Sequence, residues 1–233
     1  MILNRTLKQL LIFFVFFSAA ISQKYEYKNS SRDGIGKFYH NREISKVMGH
    51  LGASWLERKS RQKEENSQLL TKNLMLSKDM VVADIGAGTG YYTSRLAKNS
   101  KIVYAVDIQK EMLIINKKNM KSMNINNVEF VLGDIKDTKL PLNMIDLALF
   151  VDVYHELEFP YEMMLSVKES LKKDGRIVLV EYRKEDPYVK IKPLHKMSIK
   201  QIIIEMESVG FTLDRSFNRL PIQHMLFFKK NET

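Results

Sequence analysis

The chain has 233 residues, 45% of them hydrophobic, a formal net charge of +10 and no cysteine. That length and apolar content suit one globular domain with a full core, and the lack of cysteine excludes disulfides, thiolate nucleophiles and Cys-ligated zinc while leaving the redox compartment open. The positive charge could serve a nucleic acid or an anionic membrane, but the lysines are scattered and no dense basic run with interleaved aromatics occurs. A solvated basic surface is the expectation, with no nucleic-acid partner.

Residues 1–22 differ in kind from the rest. Arg5 and Lys8 precede an apolar run over residues 10–21 that ends in small residues, the layout of a secretory signal peptide. As a helix this run would span only about 18 Å at ~1.5 Å per residue, against a hydrocarbon core of about 30 Å. Cleavage after Ala20 or Ser22 is therefore expected, and it leaves a mature charge of 10 − 2 = +8. Export, periplasmic or secreted, is the expected localisation; an uncleaved membrane anchor through residues 10–21 is the alternative. Residues 23–32 read as a polar linker, and residues 34–58, which hold several glycines, two histidines and the only Trp, suit a lid over a binding site. His40, His50 and Met48 are read as packing or pocket lining, so no metal set is assigned. Residues 61–76 read as a helix with Leu69, Leu70, Leu74 and Leu76 on its apolar face.

The stretch Val81–Tyr92 is the centre of the chain. A β-branched apolar run breaks at Asp84, and glycines follow at alternate positions, Gly86, Gly88 and Gly90, before a helical pattern begins. A strand, a glycine loop and a helix start can press backbone N–H groups against an electron-rich ligand. A dinucleotide fingerprint needs G-x-G-x-x-G, whereas this loop reads G-x-G-x-G with Tyr92 and Thr93 near the expected third glycine. A second strand, residues 101–107, ends in Asp107, whose carboxylate can accept hydrogen bonds from both hydroxyls of a ribose.

In V-A-D-I-G-A-G-T-G and V-Y-A-V-D-I the sequence resembles the class I S-adenosylmethionine-dependent methyltransferases, over roughly residues 65–229. The resemblance implies a Rossmann-like α/β fold, a seven-stranded mostly parallel sheet with helices on both faces and an antiparallel C-terminal strand pair. It implies S-adenosyl-L-methionine as cofactor, with Gly86, Gly88 and Gly90 approaching the methionine half and Asp107, with its neighbour Ile108, at the ribose. Asp84 would orient the loop or reach the donor's ammonium. After a third strand over 128–132, the same resemblance puts Asp134 at the adenine amino group and Ile135 against the ring.

The apolar run over 145–151 reads as a parallel strand covered on both faces, and it ends in Asp152, Tyr154, His155 and Glu156. Ligands of open α/β sheets bind beyond such carboxyl ends, so Asp152 is placed in the donor site. His155 is the first candidate for general base, with Tyr154, Glu181 and His195 as further candidates. A helix over 160–171, a turn over 172–175, a strand over 176–180, a helix over 198–208 and strands over 211–217 and 222–228 complete the pattern. The motif D-V-Y-H departs from the N-P-P-Y and D-P-P-Y of methyltransferases acting on exocyclic amines and on glutamine. The expectation is O- or C-methylation of a small hydrophobic or phenolic acceptor. Two other readings stay open: a non-catalytic nucleoside-binding protein on this scaffold, and an NAD-type oxidoreductase. Export also sits poorly with a donor made in the cytosol.

Overall fold

The computed structural model describes residues 24–231; the expected leader lies outside them. Among the described residues no helix is long and apolar enough to cross a membrane. The chain opens with an antiparallel sheet of β1 (Tyr25–Tyr27), β2 (Gly34–Tyr39) and β3 (Arg42–Ser45), followed by α1 (Ala53–Leu56), α2 (Arg61–Glu65) and α3 (Ser67–Asn73). Then come β4 (Val81–Ile85), α4 (Thr93–Ala97), β5 (Ile102–Asp107), α5 (Lys110–Ser122), β6 (Val128–Leu132) and β7 (Ile145–Val151). The chain continues with α6 (Pro160–Ser170), β8 (Leu171–Arg183), β9 (Lys196–Met197), α7 (Ile199–Glu207), β10 (Phe211–Phe217) and β11 (Gln223–Lys230).

The main sheet has the order β10-β11-β8-β7-β4-β5-β6, with the short β9 beside the end of β8. Strands β4 to β8 pair in parallel, while β11 joins β8 and β10 antiparallel. The order reverses at β4, so the crevice lies over the carboxyl ends of β4, β5 and β7, where open α/β sheets take their ligands. Both faces are covered, and strand alternation shows how. Ala83, Ile85, Ala148, Phe150, Ile177 and Leu179 pack one face with Met164, Val167, Ile202 and Met206. Their neighbours Val82, Leu147, Leu149, Val178 and Val180 pack the other with Leu70, Leu74 and Leu96. A period of two on a sheet buried on both sides reads as an unbroken apolar run, which is why β7 has almost no polar residue.

Helix starts follow local chemistry. Pro160 occupies the first turn of α6, where its missing N–H costs nothing, and the Ser198 side chain caps α7 by accepting from Gln201 N at 3.2 Å. The helix expected over 61–76 is instead two, because Asn66 takes a left-handed φ of 53° and caps α3 by accepting from Leu69 N at 3.2 Å. The turn expected at 172–175 is a bulge inside β8: Ile145 faces Leu171 and Leu147 faces Arg176.

The expected linker over 23–32 is not free. Tyr25 is buried in β1 and packs with Tyr39 and Ile44 against Phe159 and Tyr161. This small sheet is fixed to the main domain by Arg42, whose guanidinium makes two bonds to Glu205 of α7, at 2.7 and 2.8 Å, and one to the carbonyl of His155 at 3.0 Å. Both partners of the ion pair are buried. A bidentate pair of this kind sets orientation as well as energy.

Candidate active site

The donor wall is built from adjacent segments. After β4 the chain turns so tightly that Gly86 has φ 68° and a Cβ there would sit 2.5 Å from Val153. Gly90 has φ 92°, and a Cβ there would sit 2.3 Å from Asn116 Oδ1. Side chains are excluded at both positions, and the backbone itself forms the cradle. Asp107, at the tip of β5, accepts from Gly88 N at 2.9 Å and from Gln109 N at 2.8 Å, so one carboxylate ties the loop to the start of α5. Burial raises its pKa, opposed by these backbone donors. Asp84 is buried under the loop and accepts from Thr93 Oγ1 at 2.6 Å. Burial pushes its carboxyl up to about 6, with Thr93 and Arg61 pulling back and Asp107 adding to the rise. Ile108, Asp134 and Ile135 line the outer rim and are exposed.

The opposite wall is assembled from distant segments. Asp152, just past β7, adopts a left-handed φ of 55°, a conformation that persists only where the surroundings enforce it. Its Oδ2 accepts from Gln223 Nε2 at 2.7 Å, while Oδ1 is buried without a partner. Burial, with Glu65 and Glu181 nearby, raises this carboxyl well above the ordinary range. His155 lies in a one-turn helix over Tyr154–Glu156. Its Nδ1 is 2.5 Å from Glu181 Oε2, and Glu181 Oε1 accepts from Tyr154 N at 2.8 Å. Its Nε2 faces His195 Nδ1 at 3.0 Å. The other nitrogen of His195 lies 2.9 Å from Asp33 Oδ2, close enough for attraction but not aligned as a hydrogen bond. Lys192 holds the second oxygen of Asp33 at 2.7 Å.

Burial would lower the His155 pKa, but Glu181 outweighs it and the net shift is upward. His195 is driven down to about 4 by burial and by the neighbouring His155. Glu156, whose carboxylate accepts only from Met48 N at 3.1 Å, is pushed up to about 7 by burial against the pull of His155.

The two walls face one cavity of about 590 Å³. It brings together Asp84, Gly86, Gly88, Asp107, Ile108, Asp134, Ile135, Asp152 and His155. Three expected residues do not line it. Gly90 supports the loop against α5. Glu181 is fully buried behind His155 and acts on that ring. Tyr154 is a correction: its ring is fully buried in the core beside Arg42, so it has no access to a ligand and is withdrawn from the catalytic set.

Several lining residues escaped the sequence reading. Arg61 is buried and paired with Glu65 at 2.8 Å, and its guanidinium lies over Tyr91. Asp33 joins from just before the expected lid, and Met48, already read as pocket lining, comes with Trp55 and Leu56 from the lid itself. Gln109 straps that segment down by accepting from His50 N at 2.8 Å and donating to the Met48 carbonyl at 3.0 Å. Glu156 was visible as part of the polar end of β7, but nothing in sequence showed that it would meet His195. The pairing Tyr182↔Lys196 of β8 with β9 does this, by laying His195 beside the end of β8.

The methyltransferase domain family matches residues 76–210, more than half of the chain. A probable cobalt-precorrin-6B C(15)-methyltransferase (decarboxylating) of Methanocaldococcus jannaschii is 29% identical over 175 residues, 72% of this chain and 85% of that protein. Its namesake from Methanococcus vannielii is 37% identical over 75 residues, only 42% of its length. Among solved structures, a SAM dependent methyltransferase from Aquifex aeolicus superposes with a TM-score of 0.73 at 22% identity, over 78% of this chain and 98% of that one. The strand order, the glycine loop with its tethering carboxylate, and these matches agree: the chain belongs to the class I S-adenosylmethionine-dependent methyltransferases.

Proposed function

We propose that the enzyme methylates a small acceptor through an ionisable oxygen, or at a carbon activated by one. The single observation that carries this reading is the shared cavity, with a backbone cradle on one wall and a buried, carboxylate-braced histidine pair on the other. The cradle suits S-adenosylmethionine: Cβ atoms are excluded from Gly86 and Asp107 presents a carboxylate to a sugar edge, while on the facing wall the unpartnered Asp152 Oδ1 suits a donor of hydrogen bonds or positive charge. When bound, S-adenosylmethionine supplies a methyl group on a positively charged sulfur, and the acceptor's lone pair forms the new bond as the carbon–sulfur bond breaks with its electrons left on sulfur. The protein's part is alignment and exclusion of water.

Ile135 and Asp134 at the rim are assigned to the adenine end, and Asp84 holds the loop through Thr93. Met48, Trp55 and Leu157 give the acceptor half an apolar lining that favours a hydrophobic or aromatic molecule. His155 does not present a free Nε2, since that atom is turned to His195; we assign the pair, rather than His155 alone, to the acceptor's ionisable oxygen. The relatives named for precorrin methylation support a small-molecule acceptor without specifying it. The reading is tested by incubating the enzyme with methyl-labelled donor and small-molecule extracts. Label in an organic-soluble product supports it, and label only in protein or nucleic acid overturns it.

A further inference from the structure

We propose that His155, His195 and Glu156 form a divalent-cation site in the acceptor half of the cavity, taking a borderline transition ion of the zinc or iron(II) class. The inference deepens the reading above and rests on it. Ligating atoms of the three residues lie within 4.8 Å of one another. Each imidazole has a carboxylate near its far nitrogen, Glu181 hydrogen-bonded to His155 at 2.5 Å and Asp33 2.9 Å from His195 without hydrogen-bond alignment, and the near nitrogens face each other at 3.0 Å. With hydrogens on the far nitrogens, the two near nitrogens turn lone pairs toward each other at that distance, and a cation beside them can accept both.

Composition favours a metal over a shared proton. Two ligand bonds of about 2.1 Å at the tetrahedral angle place their nitrogens about 3.4 Å apart, so the rings, now 3.0 Å apart, need part by only about 0.4 Å to admit the ion. A proton would satisfy the two nitrogens and nothing else. Glu156 is the third group: a largely buried carboxylate with one hydrogen bond, from Met48 N, and no ion-pair partner among the described residues. Carboxylates behind the ligating histidines are the usual means of fixing ring orientation and tautomer at metal sites. Two imidazoles and one carboxylate suit zinc or iron(II) better than magnesium or calcium, and leave coordination positions open. All three residues line the cavity, so the acceptor class is narrowed to molecules that offer the cation an oxygen, such as phenols, enols or vicinal diols.

The test uses the full chain stripped with chelator and titrated with Co²⁺, followed by its visible absorption, and with Zn²⁺ by calorimetry. The expected result is one equivalent per chain with saturable binding. His195→Ala should weaken it at least 10-fold, and Glu156→Gln, which keeps the shape of the side chain, should weaken it comparably. Binding of S-adenosylhomocysteine to the metal-free protein and to His195→Ala is measured in the same preparations as a check of folding, and should change less than 3-fold. Absence of saturable binding, or binding that both substitutions leave intact, overturns the site. A protein that binds the metal as described but not S-adenosylhomocysteine would leave the cation site standing and sink the methyltransferase reading.

Discussion

The two walls of the cavity were built in opposite ways. Most of the donor wall comes from one continuous stretch, β4 to the start of α5, in which a loop, a strand tip and a helix start are joined by Asp107, and Asp134 and Ile135 after β6 add its rim. The acceptor wall gathers Asp33, Met48, His155, Glu181 and His195 from segments separated by as many as 162 residues, held by Arg42, Gln109 and the short β9. Local geometry builds the first wall, and tertiary contacts build the second. Damage to the loop should therefore abolish donor binding outright, whereas damage to the brackets of the acceptor wall should spare donor binding and lower turnover.

The largest effect is expected at Gly86. Gly86→Val puts a β-branched side chain at φ 68° and into Val153; strain of roughly 1–3 kcal/mol comes on top of a steric clash. S-adenosylhomocysteine affinity should fall more than 100-fold by calorimetry, with the Arg42–Glu205 bracket untouched. Arg42→Ala attacks the other wall. Removing one member of a buried pair leaves Glu205 uncompensated and costs about 3–5 kcal/mol. For a domain of this size that corresponds to a fall in Tm of roughly 10 °C. Affinity for S-adenosylhomocysteine should change only a few-fold in Arg42→Ala below its Tm, while methyl transfer falls at least 10-fold; equal losses of both would break the comparison.

Asp84 gives a smaller effect with a definite sign. Its folded pKa, about 6, lies above the unfolded value of 3.8, so between these values the folded state holds more protons. Stability of the ligand-free protein must then fall as pH rises through that window and level off above it. The shift of about two pKa units corresponds to roughly 3 kcal/mol. Asp84→Asn should remove this part of the slope, read as the difference between the urea midpoints of the two proteins from pH 4 to 7.5. An unchanged slope would mean that Thr93 and Arg61, which pull the Asp84 pKa down, already offset its burial. The smallest effect is at the rim: Trp55→Ala, at a half-exposed lining position, should raise the KM for the acceptor about 5-fold, the loss of ~1 kcal/mol of aromatic contact, with donor affinity unchanged.

This asymmetry explains what the sequence could show. The strand runs, the glycine loop, Asp107 and the antiparallel C-terminal pair rest on local pattern, and each stands in the structure where the residues indicated. The break at Asn66 was hidden because a left-handed asparagine inside an apolar periodicity looks like any polar helix position. Tyr154 looked catalytic because it adjoins His155, yet the one-turn helix there sends neighbouring side chains in different directions, one to the core and one to the cavity. His195 could not be paired with His155 across 40 residues without knowing that β9 would form, and a metal set was not expected for the same reason. Tyr25 gave no sign that a polar stretch would dock on α6.

The most direct test of the account is calorimetric titration of the full chain with S-adenosylhomocysteine, beside NAD and beside the Asp107→Ala protein. The account predicts one site per chain for S-adenosylhomocysteine, at least a 100-fold loss in Asp107→Ala, and no heat with NAD. Binding of NAD in preference, or S-adenosylhomocysteine binding that survives loss of the Asp107 carboxylate, would contradict it.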